Sequence, residues 1–105
     1  MADPERIREI IESATVDCYD EYEEMAGWGV IFDVAAERPF PAAALGKPVQ
    51  VLGFDGDPRH GIRCKIEGEG VGRRWVGVET LDAELLPEGV REVMEAFDAY
   101  SDGGF

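Results

Sequence analysis

An α+β domain is predicted from three observations. Apolar residues recur at three- and four-residue steps near both ends of the chain, the period of an amphipathic helix. The middle is rich in β-branched and aromatic residues broken by Gly and Pro, the pattern of short antiparallel strands. The length, 105 residues with 45% apolar, suits one domain with a single core.

The elements follow in order. Asp3-Pro4 is a good helix opening, because Asp accepts from free N–H groups and Pro suits the first helical position. Ile7, Ile10, Ile11, Ala14, Cys18, Tyr22 and Met25 then form one apolar face, so a helix is expected over about 4–26, stopped at Gly27. Trp28 to Val34 reads as a strand and opens a β core over about 28–79, with Glu37 to Gly46 as an ordered loop. Pro48 to Phe54 is a second strand, and Asp55-Gly56-Asp57-Pro58 a turn. Ile62 to Glu67 alternates, Gly68 to Gly72 turns the chain, and Arg73 to Glu79 returns. Leu81 to Leu86 is a short helical turn, and Pro87-Glu88 opens a C-terminal helix over about 88–100, striped by Val90, Val93, Met94, Phe97 and Tyr100. The expected architecture is a small SH3-like antiparallel β-barrel or bent sheet with a helix at each end. Residues 1–105 form one domain, without repeats or linkers.

Charge narrows the function. Asp and Glu number 23 against 10 Lys and Arg, a net charge of −13. Residues 1–24 hold nine acids and two arginines, and residues 79–102 eight acids and Arg91; each end is therefore −7, around a nearly neutral middle. Such a surface argues against nucleic acid or anionic lipid as a partner. No apolar run approaches the ~20 residues of a membrane span, and the N-terminus has no signal-peptide pattern. A cytoplasmic protein is expected, with Cys18 and Cys64 reduced.

Several motifs fail on their spacing. An EF-hand loop begun at Asp55 has His60 at position 6 and Ile66 at position 12, and one begun at Asp98 runs off the chain. Zinc lacks a CxxC pair. The run GEGVG has no following Lys-Ser/Thr. His60 is the single histidine and no GxSxG elbow exists, so no catalytic constellation stands out and the protein is not expected to be an enzyme. Both tryptophans read as core residues.

What remains is Asp17 to Glu24 (DCYDEYEE), five acids in eight residues. At the end of a first helix these acids would repel one another and oppose the macrodipole. A local rule broken this plainly points to strong screening or to something positive bound there. If Gly27 turns the chain back, Glu21, Glu23 and Glu24 approach Asp33 and Glu37, giving the hard oxygen shell that Ca²⁺ accepts. High-salt adaptation and plain solubility account for the same composition.

The stretch Tyr19 to Val51 is similar to a known family. Its acidic helix end leads into Gly27-Trp28, an acid follows at Asp33, and Pro39-Phe40 precedes alanines, Gly46 and Val49-x-Val51-x-Gly53. Arg73 to Leu81 (RRWVGVETL) looks like the closing strand of the same group. These features resemble the small prokaryotic calcium-binding proteins of CcbP type, which lack EF-hands. The resemblance implies a compact SH3-like barrel flanked by helices, and carboxylate binding of Ca²⁺ in buffering or signalling rather than catalysis. It falls best on Asp33, then Glu37, with Glu23 or Glu24 helping. The expected function is a calcium buffer or sensor. The alternative is an acidic SH3-like interaction module that docks a basic partner protein through Trp28, Trp75 or Tyr22.

Overall fold

The computed structural model describes residues 3–16 and 18–103. Asp3 caps α1 (Pro4–Thr15) by accepting the Arg6 N–H at 3.0 Å. Ile10, Ile11 and Ala14 are its buried face. The helix stops at Thr15, eleven residues short of the expected end. There the Thr15 hydroxyl donates to the Ile11 carbonyl at 2.8 Å, and Val16 leaves helical geometry with ψ 133°.

A second helix, α2 (Glu21–Val34), stands where a strand was expected. Its start is coded by Asp20 and Glu23. The Asp20 carboxylate accepts the Glu23 N–H at 2.8 Å, and the Glu23 carboxylate reaches back to the Tyr19 N–H at 2.9 Å, a reciprocal pairing in the manner of a capping box. Trp28 and Phe32, one turn apart, are fully buried. The run WGVIF is β-like in composition, but burying that pair overrides a weak local preference.

The glycines of α2 are contact points rather than breaks. A β-carbon at Gly27 would collide with the Ala14 carbonyl of α1, and one at Gly29 would lie 2.8 Å from the Gly56 nitrogen. Gly56 in turn leaves room for the Met25 carbonyl. Helix and strand therefore approach backbone to backbone, as only residues without a Cβ allow.

The sheet is a meander of β1 (Phe40–Ala44), β2 (Lys47–Asp57), β3 (Gly61–Gly68) and β4 (Gly72–Gly77), in that spatial order and antiparallel throughout. β1 lies within the expected loop, and β2 runs through the expected turn at Asp55-Gly56-Asp57. The β1–β2 turn places Leu45 at φ 56° and Gly46 at φ 75°. The α+β class and the antiparallel sheet are as expected, but the sheet remains open and the SH3-like barrel does not close. One bridge, Ala44 to Leu81, and the Asp82 N–H donating to the Ala43 carbonyl at 2.9 Å tie β1 to the segment after β4.

Two 3₁₀ turns, Val78–Thr80 and Ala83–Leu85, lead to α3 (Glu88–Ser101). α2 packs on β2 and β3, and α1 packs against α2 and α3. The core centres on Trp28, Phe32, Val51, Cys64, Ile66 and Val90. Within it Phe97 meets Trp28 edge-on at 5.1 Å, and Phe32 stacks on Phe54 at 5.4 Å.

Candidate functional site

The expected acids fall in two places. Asp20, Glu21, Glu23 and Glu24 stand at the start of α2. Their electrostatics are the reverse of those expected from a helix end: free N–H groups and the positive end of the dipole favour acids there. The crowding is met by backbone donors, and it no longer calls for a cation by itself. Asp17, the fifth acid of the run, lies outside the described residues. Glu24 also receives the Tyr100 hydroxyl. Burial of that phenol, then the Glu24 bond and charge, push the Tyr100 pKa up to about 12.

Asp33 lies on the last turn of the same helix and Glu37, exposed, in the loop beyond it. The expected approach of Asp33 to Glu21, Glu23 and Glu24 does not occur. Twelve helical residues hold Glu21 and Asp33 ~18 Å apart along the axis, because Gly27 continues the helix instead of turning it. A shared shell around one ion is thereby ruled out for these side chains.

Asp33 has work of its own. The pairing of β1 along β2 reaches no further than Phe40 opposite Val51, where the register of β2 on β3 shifts between Val51 and Gly53. Beyond that point the Phe54 N–H donates to the Asp33 carboxylate at 3.0 Å. The Arg38 guanidinium lies 3.2 Å from the same oxygen. Gly53 sits beneath both groups, 3.7 Å from each measured to an added β-carbon.

The neutral middle is internally paired, as its balance of six acids and seven bases suggests. Arg63 reaches Asp55 at 3.3 Å and Asp57 at 3.7 Å, and its guanidinium lies 5.4 Å from the centre of the Trp75 ring. Arg73 meets Glu67 at 3.2 Å. Asp57 closes the β2–β3 turn by accepting the Arg59 and His60 N–H groups at 2.8 and 3.0 Å. Partial desolvation raises its pKa, but the His60 ring and these N–H donors outweigh it, and the net shift is downward. Burial, then the charge of Asp102, raise the pKa of Asp98 at the end of α3. Burial, then Glu79, push the Cys64 thiol up to about 12. Trp28 is fully buried and no docking anchor, whereas Trp75 is 43% exposed.

Among the described residues no group of three or more His, Cys, Asp and Glu is arranged to hold a metal ion. The carboxylates are the right donor chemistry for Ca²⁺, but no ready-made cage assembles them. Among the described residues no helix is long and apolar enough to cross a membrane.

Sequence reading missed the Asp20–Glu23 pairing, although an acid followed three residues on by Glu is a helix-start signal. It also missed the outward side of α2, since a residue run read as a strand has no helical face to inspect.

No family model matches the chain, and no curated protein matches it by sequence. Among solved structures the fold is similar to one described as a calcium binding protein in the calcium-binding form. The TM-score is 0.70 at 19% identity, over 100% of this chain and 98% of that one. At that identity the likeness establishes a common fold.

Proposed function

We propose that this protein is a non-EF-hand calcium binder acting as a buffer or sensor, without catalysis. The observation that carries the reading is the fold shared along its whole length with a calcium-binding protein. The net charge of −13 adds hard oxygen donors and long-range attraction for cations. Two ends of α2 supply the candidate ligands, Asp33 with Glu37 at one and Glu21, Glu23 and Glu24 at the other.

The absence of a ready-made cage among the described residues sets the expected strength. Affinity follows the number of charged ligands and the rigidity of their placement, so few protein oxygens completed by water imply a Kd of about 10⁻⁴–10⁻³ M. Ca²⁺ tolerates such irregular shells better than Mg²⁺, which demands octahedral geometry.

Calorimetric titration of the EGTA-treated protein with CaCl₂ tests the reading. A saturable isotherm is expected, with a larger rise in Tm from CaCl₂ than from MgCl₂, or from NaCl of equal ionic strength. Equal shifts from the three salts would leave only screening. Asp33→Asn and Glu24→Gln then assign the end of α2 that holds the ion, because groups nine helical residues, ~13 Å, apart along the axis cannot share one.

A further inference from the structure

We infer that the outward face of α2 is a docking surface for a basic amphipathic helix of a partner protein. Residues 25–32 of this helix carry no charge. Trp28 and Phe32 bury one side, but Tyr22, Ala26, Val30 and Val34 follow at four-residue steps on the other and are all exposed. Tyr22 is 67% exposed, Val30 61% and Val34 72%. A helix apolar on every side is normally covered on every side, and an exposed ridge of this kind marks an interaction site.

The surface has the form of a helix seat. The ridge is ~18 Å long, about three helical turns. Val34 also lines a groove bounded by α1, the end of α2 and the start of α3, with Ile10, Ser13, Ile31 and Val93. A ridge beside a groove, spaced for contacts at one-turn intervals, suits an amphipathic helix laid along it.

Charge selects the occupant. Glu9 and Glu12 stand with Ser13 and Val16 on the α1 side, and Glu23 stands at the start of the ridge. Among the described residues, the one base on the groove wall, Arg6, is held by Glu9 and Glu92, each at 3.6 Å. An apolar centre with an acidic margin complements a helix whose apolar stripe is bordered by Lys or Arg. A second copy of this chain would bring the same acids face to face, and an anionic lipid surface would be repelled.

The experiment uses the full chain in EGTA, so that it stands or falls apart from calcium binding. The probe is a labelled peptide of about 18 residues, long enough to span the ridge, made of leucine and lysine with every leucine on one helical face. A scrambled peptide of the same composition is the control. Binding of the amphipathic peptide is expected, at least about tenfold tighter than that of the scrambled one. Val30→Glu and Val34→Glu should each weaken it by a similar factor although they add negative charge, while Gln50→Glu, on β2, should leave it unchanged. Glu is a better helix former than exposed Val, and circular dichroism checks that the fold is kept. Equal binding of both peptides, or tighter binding by Val30→Glu, would reduce the effect to charge attraction and overturn the proposal. Sedimentation of the wild type as a dimer that Val30→Glu dissociates would overturn it too, by giving the face to a second copy.

Discussion

The Asp33 carboxylate accepts the backbone N–H of Phe54 at 3.0 Å, and so the last turn of α2 serves as the partner of β2 where its pairing with β1 has ended. Asp33→Ala leaves that part-buried donor unsatisfied and Arg38 without its partner at 3.2 Å. The expected cost is about 1–3 kcal/mol. Asp33→Asn keeps an accepting oxygen and should recover most of the loss. Urea unfolding of the two variants separates these outcomes, and equal stability of both would remove the bond to Phe54 as the cause.

The two thiols should differ in reactivity. Cys18 is half-buried and Cys64 fully buried, and the Cys64 pKa is pushed from 9.0 to about 12. Thiolate is the reactive form, so at neutral pH a disulfide reagent should modify Cys18 in the folded protein and Cys64 only on unfolding. Fast modification of both in native buffer would contradict this placement of Cys64.

Alkaline stability should carry the mark of Tyr100. Its pKa is raised from 10.0 to about 12, so the folded state holds the proton more tightly than the unfolded chain. That contribution is complete below pH 10 and is lost as the pH rises through about 12. Tyr100→Phe removes this proton linkage. Compared with the wild type, its stability should fall less steeply across that window. Parallel curves would show that neither burial nor the Glu24 contact holds the Tyr100 proton in solution.

The β1–β2 turn is improvable. Leu45 is 55% exposed and held at φ 56°, a left-handed conformation that costs an ordinary L-residue about 1–2 kcal/mol. Asn accepts this conformation readily and is favoured before Gly in two-residue hairpin turns. Leu45→Asn should therefore raise stability by about 0.5–1 kcal/mol, seen as a higher Tm. A lower Tm would mean that Leu45 makes a stabilising contact outweighing the backbone gain.

Much of the fold is legible where local signals and packing agree. Asp3-Pro4, the β3–β4 hairpin around Glu69 and Gly70, and the stripe from Val90 to Tyr100 all lie where sequence places them. The region from Val16 to Val34 is not, for two physical reasons. Apolar residues continue at helical spacing through Cys18, Tyr22 and Met25, so two helices imitate one. The run Trp28 to Phe32 is locally β-like and is helical because α1 closes on Gly27 and β2, at Gly56, closes on Gly29, contacts distant in sequence. The candidate site inherits that error. Each acid was visible, but bringing Asp33 to Glu21, Glu23 and Glu24 required Gly27 to be a turn.

The open sheet has two margins, and their composition governs behaviour at high concentration. An unpaired strand is a template on which other chains add and fibres grow. β1 is only five residues long and contains Pro41, which lacks an N–H to offer a newcomer. β4 carries Arg73 and Arg74, both exposed, so stacked copies would oppose like charges. Loss of these blunting devices would leave the core intact and make the molecule prone to self-templated aggregation.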